Sequence, residues 1–205
     1  VNQSWLPIRT NLASMLCRPT CPHCARPLRT CLCAWIRPSH NYIDLLILQH
    51  PLEVGHAKGS ATLLRLSLAN CRLVVGERFE PDELQALLGE DCALLYPSDA
   101  DAPASVSATP PARLVLLDGT WRKSRKMLWL NPALQRLPRI SLDQAGPSRY
   151  RIRKAQRPGQ LATLEAACVA LQQLERRAQP YAGLLDAFDS LVAHAEEALS
   201  ARRGA

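Results

Sequence analysis

Arg113-Leu114-Val115-Leu116-Leu117-Asp118-Gly119-Thr120-Trp121 is the stretch on which the fold turns. Its apolar run, residues 114–117, is strand-sized and unbroken by polar residues, as in a strand covered on both faces. Asp118-Gly119-Thr120 ends the run, and Arg122-Lys123-Ser124-Arg125-Lys126-Met127-Leu128 continues as a basic helix. A strand that passes through Asp-Gly-Thr straight into a helix brings a carboxylate, a hydroxyl and free backbone N–H groups to one place. That place is the C-terminal edge of a sheet, where α/β proteins hold their ligands.

The same strand-then-helix alternation extends in both directions. Residues 42–49 read as a buried strand, followed by a loop and a helix near 60–68. Residues 73–75 form a second strand and 81–88 a short helix with Pro81 at its start. A third strand, 92–96, ends at Pro97, and the Ala-, Ser-, Asp- and Pro-rich residues 98–112 form a loop. The quoted stretch supplies strand four (113–117) and helix 120–130, stopped by Asn131-Pro132. A fifth strand is expected at 139–142, then an irregular Arg-rich segment, 144–160. Two helices close the chain, carrying Leu164, Ala167, Cys168, Leu171 and Leu174, then Leu184, Phe188, Leu191, Val192, Ala195 and Leu199. Repeated βα units predict a mostly parallel sheet with helices on both faces.

The 205 residues suffice for one α/β domain and a small appendage. No apolar run reaches the length of a membrane span or a secretory signal, so a soluble, cytoplasmic protein with no membrane partner is expected. The net charge of +7 is unevenly spread. Residues 1–37 hold five Arg and no acid, and residues 113–157 hold twelve Lys/Arg against Asp118 and Asp143. The remainder is acidic. Such segregation suits a basic face for a polyanion, most simply nucleic acid. Arg122, Lys123, Arg125 and Lys126 sit near a helix N-terminus, where the helix dipole disfavours cations, which points to phosphate contact.

Five of the eight cysteines fall within residues 17–33. Cys21-Pro22-His23-Cys24 and Cys31-Leu32-Cys33 present two close thiolate pairs that can surround one tetrahedral zinc. Four sulfur ligands leave no open position, so the metal would be structural. The expected organisation is a Cys-rich zinc module at 1–38 and an α/β domain at 39–205. Cys17 is a spare ligand candidate, His23 a neighbour of the site, and Cys71, Cys92 and Cys168 ordinary core residues.

These motifs together carry a resemblance. The Cys-x2-Cys-x6-Cys-x-Cys run, Gln49-His50-Pro51, Tyr96-Pro97, Leu117-Asp118-Gly119-Thr120-Trp121, Ser148-Arg149-Tyr150-Arg151-Ile152-Arg153 and Leu161-Ala162-Thr163-Leu164-Glu165 recur in that order in DTW-domain proteins. From about Cys17 to Leu174 the chain resembles tRNA-uridine aminocarboxypropyltransferases. The resemblance implies a SPOUT-like fold with a C-terminal knot. It implies transfer of the 3-amino-3-carboxypropyl group of S-adenosylmethionine to N3 of a tRNA uridine, which releases methylthioadenosine. It implies a cofactor set of Gln49, His50, Tyr96, Pro97, Leu117, Asp118, Gly119, Ser148, Tyr150, Arg151, Arg153, Thr163 and Glu165. Lys58-Gly59-Ser60 stands where relatives often carry Lys-Asn-Ser/Thr.

The residues can be weighed physically beside that resemblance. A sulfonium has three electrophilic carbons, and the one held in line with the nucleophile reacts. Arg149, Arg151 and Arg153 can grip the methionine carboxylate by bidentate pairing. Asp118 either holds the ammonium, orients the uracil or removes its N3 proton, with helix capping as its structural alternative. Thr120 either touches ligand or caps the helix, and Trp121 either stacks on a base or joins the core. His50 reads as structural, and Glu165 as a dipole partner or an amine ligand. Lys154 joins the basic RNA-facing set. Two other readings stand here: a knotted-class RNA methyltransferase, and a zinc-ribbon RNA-binding protein without activity.

Overall fold

Leu45–Leu48 and Leu114–Leu117 are buried on both faces, so they can only sit at the centre of a covered sheet. The computed structural model of the chain describes residues 19–55, 60–97, 109–142 and 161–201. Among these described residues lie five strands: β1 Asp44–Gln49, β2 Cys71–Val75, β3 Cys92–Leu95, β4 Arg113–Asp118 and β5 Arg139–Ile140. All pair in parallel, in the order β2-β1-β4-β3-β5. Six helices accompany them among the described residues: α1 Ala61–Ser67, α2 Pro81–Leu88, α3 Trp121–Leu130, α4 Pro132–Gln135, α5 Thr163–Glu175 and α6 Gln179–Ala201. Single turns of 3-10 helix lie at Leu28–Thr30, Cys33–Trp35 and Pro51–Glu53.

Strand alternation sorts the side chains into two cores. Leu45, Ile47, Leu114 and Leu116 face α1, α5, α6 and the Cys-rich segment, with Leu164, Leu171, Tyr181 and Phe188 packed among them. Leu46, Leu48, Val115 and Leu117 face α2, α3 and α4, meeting Leu84, Leu88, Met127 and Leu134. Each fully buried leucine contributes about 2 kcal/mol of burial. The expected parallel sheet with helices on both faces is therefore present. The chain leaves β1 toward one face, through α1, and leaves β4 toward the other, through α3. Adjacent parallel strands whose helices depart to opposite sides open a crevice between their C-terminal ends.

The boundaries differ from the sequence expectation for identifiable reasons. β1 starts at Asp44 and not at residue 42, because the N–H groups of Tyr42 and Ile43 donate to Glu175 Oε1, at 2.7 and 2.9 Å, and leave the ladder. β3 ends at Leu95, and β5 is only two residues long, pairing with β3 at Leu94 and Leu95. α2 spans the expected residues, with Pro81 first, Asp82 and Glu83 in its first turn and Gly89 at φ +74° closing its end. The described residues do not show the expected C-terminal knot, and residues 98–108 of the expected loop and residues 143–160 lie outside them.

Asn131, 1% exposed, does more than stop α3. Its Nδ2 donates to the carbonyls of Met127 (2.6 Å) and Glu77 (2.9 Å), and its Oδ1 accepts from the Phe79 N–H (2.9 Å). It ties the end of α3 to the loop between β2 and α2. Asn131→Ala strips partners from a buried N–H and two carbonyls, so a loss of about 2 kcal/mol is expected in denaturant unfolding.

Candidate functional site

Gln49 and Asp118 are register partners at the ends of β1 and β4. Both follow residues pointing to the α2/α3 face, so both side chains turn to the α1/α5 face. Asp118 is 6% exposed, and its two oxygens are both engaged. Gln49 Nε2 donates to Oδ2 at 2.8 Å and Thr163 Oγ1 donates to Oδ1 at 2.7 Å. Thr163 is the first residue of α5, and the next N–H, of Leu164, donates to Ser60 Oγ at 3.2 Å just before α1. The N-terminal ends of α1 and α5 thus converge on the crevice between β1 and β4.

The charge balance of this spot is uneven. Asp118 meets two neutral donors, and among the described residues no cation pairs with it. A buried carboxylate needs hydrogen bonds and gains from a positive partner. The arrangement is therefore suited to receive a cationic group. Capping is not its role: Thr120 caps α3, its Oγ1 accepting from the Lys123 N–H at 3.4 Å. Gly119 sits in a tight passage, where a Cβ would lie 3.2 Å from Lys123 Cβ and 3.7 Å from His50 Cβ.

His50 is held on both sides of its ring. Its Nδ1 accepts from the Leu52 N–H at 3.1 Å, which leaves Nε2 to donate to Glu77 Oε1 at 2.9 Å. Its backbone N–H donates to the Asp118 carbonyl at 2.9 Å. The imidazole thereby braces the crevice wall. Glu165, 3% exposed, accepts from the Ala162 N–H through Oε2 at 2.8 Å and caps α5. Ala162 has no side-chain acceptor to complete a reciprocal cap.

Tyr96 and Trp121 belong to the opposite core. Their rings stack with centroids 5.3 Å apart and 11° between planes, and Arg139 lies 5.6 Å from the Tyr96 centroid. Trp121 thus packs in the α3-side cluster while Asp118 turns toward α5. The Pro97 carbonyl accepts from Arg139 Nη1 at 3.3 Å, and Leu117 is buried in the same cluster. The remaining expected ligands, Ser148, Tyr150, Arg151 and Arg153, with Arg149 and Lys154, lie outside the described residues, as do Lys58 and Gly59.

The basic helix is only partly free. Lys123 Nζ reaches Glu53 Oε1 at 2.8 Å and Lys126 Nζ reaches Glu77 Oε1 at 2.9 Å. The hydrogen bonds from Lys126 and then His50 hold the Glu77 carboxyl below its ordinary range. These acids offset cations that the helix dipole disfavours. Arg122 and Arg125 are exposed. Glu53, Glu77 and Arg139 were not singled out from the sequence. They come from distant segments and have no local pattern to mark them.

The four cysteines form a second centre. Cys21 Sγ is 3.6 Å from Cys33 Sγ, Cys24 Sγ is 3.8 Å from Cys31 Sγ, and all four lie within 4.8 Å of one another. A tetrahedral zinc with bonds of about 2.3 Å has sulfur–sulfur edges of about 3.8 Å, so the donor set fits one such ion. Ala25 at φ +55° makes the tight turn that returns its N–H to the Cys21 carbonyl at 2.9 Å. Backbone N–H groups of Cys24 and His23 lower the Cys21 thiol to about 6, while hydrogen bonding to Cys31 and burial raise Cys33 to about 12. A bound dication would take all four as thiolates. His23 lies beside the cluster, its Nδ1 3.4 Å from Cys33 Sγ. Cys17 lies outside the described residues. Cys92 and Cys168 are buried and Cys71 is half-buried against the core, with burial raising the thiols of Cys71 and Cys168 to about 12. No described helix is long and apolar enough to cross a membrane.

Residues 18–196 match the family model of the DTW domain. Over 171 residues the chain is 35% identical to tRNA-uridine aminocarboxypropyltransferase 2 of Drosophila melanogaster, a match covering 78% of this chain and 68% of that protein. It is 33% identical over 172 residues to the Mus musculus protein of the same name, covering 78% of this chain and 57% of that one. With tRNA-uridine aminocarboxypropyltransferase A of Arabidopsis thaliana it shares 28% identity over 135 residues, covering 54% and 50%. The chain thus spans little more than half the length of the mouse relative. No solved structure matches it. Because the matched span holds the cysteine cluster, all five strands and both helix ends that close on Asp118, the chain belongs to the DTW-domain family.

Proposed function

We infer that this chain transfers the 3-amino-3-carboxypropyl group of S-adenosylmethionine to N3 of a tRNA uridine. The observation that carries the reading is the buried Asp118 carboxylate, without a cationic partner among the described residues, in a DTW-domain chain. Relatives named for this activity support it. S-adenosylmethionine supplies a sulfonium whose methionine Cγ is the electrophile. The uracil N3 gives up its proton to solvent and bonds to that Cγ, and the C–S electron pair leaves with methylthioadenosine.

The chain's own residues have distinct tasks in this scheme. Asp118, fixed by Gln49 and Thr163, holds the ammonium of the methionine tail and so turns Cγ, not the methyl group, toward the RNA. Fixed orientation is worth more here than basicity, because reaction at one carbon of three is a problem of alignment. Arg149, Arg151 and Arg153 grip the carboxylate. Ser148, Tyr150, Gln49, Leu117, Gly119 and the Tyr96-Pro97 turn complete the cofactor wall. Thr120 frames the base entry, with Trp121 stacked on Tyr96 along its α3 side, and an unpaired uridine reaches it only when splayed from its stack. Arg122, Arg125 and Lys154 meet phosphate, while Lys123 and Lys126 contribute charge from within their ion pairs.

The same reading completes the architecture. The fold is SPOUT-like with a C-terminal knot, and residues 1–38 form a module organised by a structural zinc on Cys21, Cys24, Cys31 and Cys33. The protein works in the cytoplasm on tRNA. Mass spectrometry of tRNA nucleosides from cells with and without the gene tests the chemistry: an aminocarboxypropyl uridine should vanish on deletion. With purified protein, methylthioadenosine should accumulate. An unchanged nucleoside profile, or S-adenosylhomocysteine as the product, would overturn it.

A further inference from the structure

Helix α3 divides its basic side chains between two uses. Ser124 and Met127 face the core, and Lys123 is taken up by Glu53. Arg122, Arg125, Lys126 and Trp129 are all exposed and recur at i, i+3, i+4 and i+7, which places them on one side of the helix. Trp129 is 74% exposed, whereas Trp121 stacks on Tyr96 and Trp35 packs on His194. A singly exposed apolar side chain is ordinary on a protein surface, but this indole stands in line with exposed guanidinium groups. Among the described residues, only Lys126 of the three cations on its stripe is paired with an acid, Glu77. An apolar protein surface would not complement such a row. Nucleic acid does, offering phosphates to guanidinium groups and the π-face of a base to an indole.

We propose that the Arg122–Arg125–Trp129 side of α3 is a docking strip for single-stranded RNA, with Trp129 stacking an unpaired base. The strip rests on the tRNA reading above and specifies which part of the RNA it takes. Paired bases hide their faces in the helical stack, so an indole on a helix surface finds a free face only in a loop or an end. Trp129 lies about 12 Å along α3 from Trp121, at a rise of about 1.5 Å per residue. That spacing places the stacked base near the reactive uridine in the chain, and not at the reacting position itself. Trp129 is therefore a substrate-docking residue with no part in the chemistry.

The test compares wild type, W129A, W129F and the R122A/R125A pair. Each is titrated with an unmodified tRNA transcript and with a blunt RNA duplex over a series of salt concentrations. W129A should weaken tRNA binding about tenfold or more, the range for loss of one stacked base. W129F should recover most of that loss, and duplex binding should not change. W129A should leave the salt dependence intact, while R122A/R125A makes it shallower by about one unit of slope per arginine. Unchanged tRNA affinity in W129A overturns the strip, as does an equal loss on the duplex. So does a change in sedimentation with RNA affinity intact, which marks a protein partner. The two readings fail separately. Trp129-dependent tRNA binding without aminocarboxypropyl product keeps the strip and sinks the enzyme, and product formation with wild-type affinity in W129A does the reverse.

Discussion

Asp118→Asn is expected to lower kcat/KM for aminocarboxypropyl transfer about a thousandfold, the scale set by removing one oriented charged group from a reaction centre. The substitution keeps size and shape, so its structural cost is small. The amide oxygen accepts from either Gln49 or Thr163, and the Thr163 hydroxyl can rotate to accept from the new amide N–H. Stability should fall by about 1 kcal/mol. What disappears is the negative charge in a crevice where, among the described residues, no cation offsets it. An orienting role predicts a raised KM for S-adenosylmethionine and a rate deficit that stays constant from neutral to alkaline pH. A general base predicts recovery at alkaline pH, where uracil loses its proton unaided. Steady-state kinetics over that range distinguishes the two, and near-wild-type turnover would remove Asp118 from the site altogether.

Replacing Cys24 with Ser should have the largest effect on stability. Cys24 is 2% exposed and shares a core with Cys21, Leu32, Tyr181 and Phe188. Structural zinc sites bind with roughly 10–16 kcal/mol at neutral pH, and loss of one of four ligands should forfeit about 5 kcal/mol of that. Metal analysis should find one zinc per wild-type chain and much less in the variant. Trp35, its ring tilted against His194 of α6 with centroids 5.2 Å apart, should report the loosened segment by its fluorescence. A chelator should reproduce the change in wild type. Wild-type protein free of zinc, with an unshifted melting temperature in C24S, would show the cluster to be four ordinary thiols.

Much of the fold was legible because its signals are local. The run 114–117 is unbroken by polar residues, and so is the strand-sized run at 45–48; both proved to be central strands. Pro81 marked the start of α2 within one residue. Where the reading slipped, a distant group had intervened: Glu175 draws the N–H groups of Tyr42 and Ile43 out of β1. Trp121 illustrates the limit of motif reading. It is three residues from Asp118 in sequence, yet its ring packs on the other core, because it opens α3, which leaves the sheet toward the face opposite the Asp118 side chain.

The amino-acid sequence alone determined the repeated βα units, the two cysteine pairs, the segregation of charge and the position of Asp118 at a strand end. Each depends on spacing along the chain or on composition. Only the tertiary structure decided that β1 and β4 lie side by side, that Thr163 closes on Asp118 from 45 residues away, and that Glu53 and Glu77 neutralise half of the basic helix. The physical reason is that hydrogen bonds and ion pairs depend on distance in space. Side chains far apart in sequence meet only after the sheet has set its strand order.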